Sequence, residues 1–562
     1  MNKKIITIGI IGMFLLTSIP TLSALEINET TNPIQSLSTA NTIYVDDDFD
    51  SSTPGWQVDH FDKIQDGIDA AKDGDTVFVF SGEYPESVTI DKSITLTGEN
   101  SETTFIKGHT VTIAADNVKV SGFTISDISG DWATGIEIIH KDASYITISN
   151  NIISDISGKR AMGVVIMYDD ASYITISNNI ISGISNDRTG RAIDAFDLCY
   201  STISGNIISD INCEDGFYAI MLWGSSGSSY NNINGNIIEN INARGRGSGI
   251  YVMGMYNTIT ENTIRNINCE DRFVRGLGVD GYNTTVSKNI IKNLNGPEVI
   301  GIEVSSLEEY VCINLTENII SNLNGAFSAS GISLKLLGAS NIEIADNIIG
   351  NIDCGVGFSV GAFGIFTLAG GSHIDITNNF INENKGGIFL WGCQHVEIAG
   401  NTISNTHVHI GLPAEAAGYG LYLSDSTYVN IEDNIFKDNN KDATFKFEHV
   451  LEEGDSPYTI GTIPESYNKI RHEKDLSNNW NGNYWDKHKD PSKPKKIKGT
   501  LEVYEPGEWD PLCNVDLDNW DYEPKVKSRI QNRQPANSML FQILGKLICH
   551  FPLLERLLQN LP

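Results

Sequence analysis

The chain has 562 residues, with 71 Asp plus Glu against 39 Lys plus Arg and a net charge of −32. A field of that sign repels a phosphate backbone, so no nucleic-acid partner is expected. The eight cysteines are scattered, with no metal-ligand pairs and no pattern of a disulfide scaffold.

Lys3 and Lys4, the uncharged apolar run 5–19 and Leu22-Ser23-Ala24 predict a signal peptide over 1–24, hence a secreted or cell-surface protein. A retained anchor is the alternative, for which the apolar run is short. A linker, 25–41, leads to an N-terminal cap with the first coils over 42–100. There Ile64, Ile68 and Ala71 line one face of a short helix, and Gly74–Asp75 turns into a strand, 76–80. Laid over the open end of a solenoid, the helix hides apolar core and an unpaired edge. Asp46, Asp47, Asp48 and Asp50 offer oxygen ligands, which leaves calcium possible; no cofactor is assigned. They lack the EF-hand pattern and also suit an edge segment that discourages strand addition.

Residues 101–462 repeat. One asparagine recurs as Asn151, Asn179, Asn206, Asn236, Asn262, Asn289, Asn318, Asn347, Asn379, Asn401 and Asn434, at intervals of 22 to 33 residues. An aliphatic residue precedes each by three, and an isoleucine or Phe436 follows by two. Period-two alternation of β-branched residues means short half-buried strands. A third strand per repeat starts at a small residue, as in GIEII, AIMLW and GIYVM. The asparagine is expected at a bend, where it tolerates the left-handed region and its amide reaches the asparagine one coil away.

Residues 463–522 gain tryptophan, proline and lysine and are expected to form an irregular C-terminal cap, followed by a linker, 523–538. In 539–562, Leu540, Ile543, Leu547, Leu554, Leu558 and Leu561 recur at helical spacing, predicting an amphipathic helical tail. The tail either docks on the solenoid or makes a membrane-surface or partner contact.

The capping phrase, the SNN and GNI bends and the tail phrase NNWNGNYWD (478–486) resemble the NosD-like right-handed β-helix proteins of the pectate-lyase-like superfamily. The resemblance spans roughly residues 42–486. It implies an all-β fold, a right-handed parallel β-helix of three sheets and about 12–14 coils. It also implies a carbohydrate-facing role or, by the NosD association, metal handling.

Outward positions of the third strands carry Trp223, Tyr251, Phe366, Phe389, Trp391 and Tyr422, which would form a strip on which sugar C–H faces stack. Loops or the C-terminal tail covering this face is the alternative. Asp194, Asp280 and Arg275 are the candidates there for acid, base or metal chemistry. The superfamily's hydrolase phrases NTD and GHG are absent, and Asp169–Asp170 reads as a solvated turn. Six residues before the bend asparagines stand Tyr145, Tyr173, Tyr200, Tyr230 and Tyr256, favouring a structural ladder at a corner over a binding platform. His373 and His395 share that position and, with His407 and His409, offer either a zinc or copper site or a stacked polar pair beside a loop. The sequence favours an exported, non-catalytic carbohydrate-binding or structural protein whose partner is a polysaccharide or cell-surface glycan. A polysaccharide lyase or glycoside hydrolase is the first alternative, and a metal-handling accessory protein the second.

Overall fold

The structure, a computed structural model, describes residues 40–521 apart from 226, 307–310, 337–339, 356–360, 369, 408–417, 451–477, 490–492, 494 and 505–512. The segments read as a signal peptide, most of the first linker, the second linker and a helical tail lie outside the described residues.

Each coil contributes three short strands. In one coil these are Thr175–Ser177, Ile180–Asn186 and Thr189–Phe196, and each pairs in parallel with its counterpart one coil on: Thr202–Ser204, Ile207–Cys213 and Gly216–Trp223. The first strands build a 17-stranded sheet. The second and third strands were expected in separate sheets, but they share one 28-stranded hydrogen-bonded sheet. The cause is visible in Ile152–Ile166, a single strand that carries its pairing through the corner and so belongs to both sides.

The isoleucine columns face inward. Ile148, Ile176, Ile203, Ile233 and Ile259 are at most 1% exposed, and Ile153, Ile181, Ile208, Ile238 and Ile264 are wholly buried. Each contributes roughly 2 kcal/mol of apolar burial. A slip of one residue would turn a whole column to water, so the register is held tightly.

The bend asparagines are buried and form a continuous column. Asn179 Nδ2 donates to Asn206 Oδ1 at 3.0 Å, Asn206 to Asn236 at 2.9 Å, and so on to Asn434, which donates to Asn483 at 3.0 Å. Each Oδ1 also accepts the backbone N–H of the preceding asparagine, as Asn206 Oδ1 does from Asn179 at 3.0 Å. The left-handed backbone expected of these asparagines belongs instead to the residue before: Asn150, Asn178, Gly205, Gly235, Glu261 and Lys288 have φ of 56°, 55°, 64°, 62°, 59° and 58°. That residue turns the chain, so the asparagine itself is buried in the column without a positive φ.

The cap forms as read. The helix Ile64–Ala70 buries Ile64 and Ile68 completely, with Ala71 at its end 4% exposed. Its first free N–H groups, on Ile64 and Gln65, donate to the two oxygens of Glu86 at 2.8 and 3.1 Å. Glu86→Ala is expected to cost about 1 kcal/mol, the usual loss for an N-cap. The measurement is hydrogen exchange of the first coils; unchanged protection there would refute the capping role.

At the other end the segment expected to be irregular continues the winding. Asn479–Asn481 and Tyr484–Trp485 pair in parallel with Thr427–Glu432 and Ile435–Lys437. Trp480 and Trp485 fill the isoleucine slots at 2% and 1% exposure, and Asn483 takes the asparagine slot. An antiparallel pair, Lys495–Tyr504 with Cys513–Asp521, then closes the edge.

Candidate functional site

Strand registry places three outward columns on the third-strand side. The first runs Met162, Arg191, Tyr218, Ser248, Arg275 and Ile300. The second runs Asp194, Met221, Tyr251, Gly278, Glu303, Ser333, Phe366, Phe389 and Tyr422. The third pairs Phe196 with Trp223 and Met253 with Asp280, Ser305 and Lys335. Adjacent coils are about 4.8 Å apart, so side chains on neighbouring rows touch.

Around Trp223, Asp194 accepts the indole N–H at 2.8 Å and pairs with the Arg191 guanidinium, which itself lies 5.8 Å from the indole centroid. Phe196 meets the same indole edge-on at 4.8 Å. Asp194 is thus 6% exposed and fully engaged. Two coils further, Arg275 and Asp280 converge on Tyr251. The guanidinium lies 4.6 Å from the ring centroid, and the phenol donates to Asp280 Oδ2 at 3.3 Å. Gly278 makes this possible: a Cβ there would stand 2.9 Å from Arg275 Nε, so only a glycine lets the arginine lie flat across the sheet. Arg275 Nε donates to Ser248 Oγ at 2.6 Å, and its other end binds Glu303, which also pairs with Lys335.

Electrostatics follow from this arrangement. Burial raises the Asp280 pKa above the usual carboxylate range, against the Tyr251 hydrogen bond and Arg275, which pull it down. Burial and then the Asp280 charge push the Tyr251 phenol up to about 12. Burial alone would raise Glu303, but Arg275 and then Lys335 outweigh it and hold the carboxylate below its ordinary value. Asp194 stands at the other end of the patch, tied to Trp223 rather than to the Tyr251 cluster.

The remaining aromatic candidates form a second patch. Phe366 stacks on Phe389 at 5.2 Å and Phe389 on Tyr422 at 5.3 Å. Tyr422 is 7% exposed, whereas Trp391 is 44% exposed. Tyr422 is therefore withdrawn from solvent, while Trp223 and Tyr251 remain half-buried and reachable.

The tyrosines at the corner stack nearly parallel, Tyr145 on Tyr173 at 5.1 Å and 4°, Tyr230 on Tyr256 at 4.7 Å and 8°. All five have φ between 50° and 59°, a left-handed strain of about 1 kcal/mol each that the stacking offsets. Ring faces spent on each other suit a ladder better than a sugar platform. His373 and His395 stack at 5.2 Å, and His395 on Tyr428 at 4.9 Å. Among the described residues the histidines form no ligand cluster; His407 is exposed and His409 lies outside the described residues. The carboxylates of Asp46, Asp47 and Asp48 do gather within 4.8 Å of one another. Cys213, Cys269 and Cys354 are buried free thiols, the first two pushed up to about 12 by burial.

Arg191, Tyr218, Ser248, Glu303 and Lys335 were not singled out from sequence. Tyr218 and Ser248 share the Arg191–Arg275 column, and Glu303 shares the Asp194–Tyr251 column, so carrying the registry across every coil would have found them.

The solved structures that this chain resembles include the A-module of the mannuronan C-5 epimerase AlgE6 from Azotobacter vinelandii, at 13% identity over 68% of this chain and 90% of that one, TM-score 0.33. XylC in complex with xylose matches at 11% identity over 84% and 86%, TM-score 0.32. The PL6 family polysaccharide lyase Pedsa3628 from Pseudopedobacter saltans matches at 14% over 56% and 82%, TM-score 0.29. None of the three bears on substrate. No curated protein matches the chain. The family described as a right handed beta helix region matches residues 109–269 and 327–449, a little over half of the chain. With these stacked parallel coils and their inward isoleucine columns, the chain belongs to the right-handed β-helix family.

Proposed function

We propose that this is an exported protein of the NosD-like kind that binds a polysaccharide or cell-surface glycan along the third-strand face, centred on Trp223 and Tyr251. The supporting observation is that both rings are reachable and each is pinned by a carboxylate, Trp223 by Asp194 and Tyr251 by Asp280. Rigid aromatic planes stack on sugar C–H faces at small entropic cost, and flanking charged groups hydrogen-bond hydroxyls. Trp223→Ala or Tyr251→Ala is expected to weaken glycan binding by at least about tenfold, as for an aromatic anchor worth roughly 2 kcal/mol. A glycan array followed by titration of the best ligand measures this. Wild-type affinity in both variants would end the proposal.

The convergence of Arg275 and Asp280 on Tyr251 favours a second reading, polysaccharide cleavage. A carboxylate whose pKa burial raises, set with an arginine around one phenol ring, is equipped for proton transfer. Reducing-end release from the bound glycan, abolished by Asp280→Asn, would establish it; binding without release leaves the protein a binder.

A further inference from the structure

Where the antiparallel pair closes the solenoid, a lysine and an aspartate are buried together. Lys495 Nζ lies 3.2 Å from Asp442 Oδ2, and the two side chains are 20% and 7% exposed. They come from neighbouring strands, Asp442 from Lys441–Val450 and Lys495 from Lys495–Tyr504. The Lys495 amine also lies 5.4 Å from the ring centroid of Trp485, itself 1% exposed. A buried ion pair offsets its lost hydration only when the remaining lone pairs are hydrogen-bonded. That condition fails here, because Asp442 Oδ1 is buried and has no hydrogen-bond partner.

Asp486 supplies a second carboxylate. Its Oδ2 accepts the Asp438 N–H at 2.7 Å, while its Oδ1 is also buried without a partner. The next residue, Lys487, donates to Asn439 O and Asn440 O, which fastens this segment to the turn just before Asp442. Burial raises the Asp442 pKa; Lys495 and then Lys487 pull it down, and the Asp486 charge pushes it back up. Buried charges in such surroundings are relieved by neutralisation, which here gives a free amine beside a carboxylic acid.

We propose that Lys495 and Asp442 join in an isopeptide bond that clasps the closing pair to the solenoid. The reaction needs no co-reactant. A proton passes from the ammonium to the carboxylate, the freed Nζ bonds to Asp442 Cγ, and one of the two C–O bonds breaks. The departing oxygen keeps its proton, takes another from nitrogen and leaves as water, so an ion pair becomes –NH–CO– plus one water. The fold holds the two groups in contact, which replaces a bimolecular encounter. The amide carries no charge and one oxygen fewer than the carboxylate, which relieves the cost of burial. The partners are 53 residues apart, so the bond also closes a long loop in the unfolded chain, as a disulfide does. None of this depends on the glycan reading.

Mass spectrometry of the full chain, intact and after tryptic digestion, tests the bond. The wild type is expected one water lighter than its sequence, with a branched peptide that carries both residues. Asp442→Asn is expected to form the same amide by losing ammonia, and so to reach the wild-type mass. Lys495→Arg keeps the positive charge without the amine and is expected at its full sequence mass. Full mass and unlinked peptides in the wild type or in Asp442→Asn, or loss of water in Lys495→Arg as well, would each overturn the proposal.

Discussion

Asn289→Leu is expected to lower stability by roughly 3–5 kcal/mol, the range for breaking a buried hydrogen-bond network. Asn289 Oδ1 accepts the backbone N–H and the Nδ2 of Asn262, both at 3.0 Å, and its Nδ2 donates to Ile259 O at 2.9 Å and Asn318 Oδ1 at 3.0 Å. Leucine of similar volume leaves a buried backbone N–H without its acceptor and breaks the column in mid-solenoid. Repeats couple only to their neighbours, so the transition should broaden as the two sides melt apart. Chemical denaturation with hydrogen exchange measures both effects; a cooperative transition within about 1 kcal/mol of wild type would show that the column contributes little. Asn289→Asp gives a sign as well. A carboxylate oxygen in place of Nδ2 would face two acceptors, Ile259 O and Asn318 Oδ1, so the folded state favours the protonated acid. Its folded pKa then lies above the unfolded value of about 3.9. The folded state holds the extra proton, and the variant is most stable at low pH and loses stability as pH rises through that window.

This column was legible because each asparagine keeps fixed neighbours, and a spacing near one coil places like residues over like. Which residue carries the strained bend was not. In SNN phrases such as Asn150–Asn151, two asparagines stand side by side and either suits a left-handed backbone. The signal lay elsewhere in the ladder, in Gly205 and Gly235, which occupy the preceding position and are the residues that tolerate positive φ without cost. The N-terminal helix was readable from Ile64 and Ile68, but its cap was not, since Glu86 comes from a different coil. The same limit applies to the site. Tyr251 and Asp280 could be nominated as outward residues, whereas the Arg275–Glu303–Lys335 chain spans three coils and emerges only when the registry is carried from each coil to the next. At the C-terminal end, a change of composition was taken for a change of structure. In the last coil Trp480 stands over Ile431 and Trp485 over Phe436, where Phe436 stacks on Trp485 at 4.4 Å.

Asp521→Leu is expected to unravel that last coil while the central coils hold. Every asparagine in the column donates its amide to the next, so the final one, Asn483, needs an acceptor that no further asparagine provides. Asp521, wholly buried, fills the role. Its carboxylate accepts from Asn483 Nδ2 at 3.3 Å, the Asn483 backbone N–H at 3.1 Å, the Gly482 N–H at 3.2 Å and Trp485 Nε1 at 2.8 Å. Hydrogen bonds to a charged acceptor contribute about 1.5–3 kcal/mol each, and leucine would remove four from one end. Those donors do not pair with one another, so the coil regains solvent by opening, which exposes Trp480 and Trp485. The readouts are a red shift of tryptophan emission and loss of exchange protection over residues 479–485. Protection around Asn262 should persist, because coupling passes only from coil to coil. Asp521→Asn should fall between, since one oxygen survives while the new NH₂ group meets donors. If emission and exchange in Asp521→Leu match the wild type, the carboxylate is not what ends the column, and the antiparallel pair alone would have to hold the coil shut.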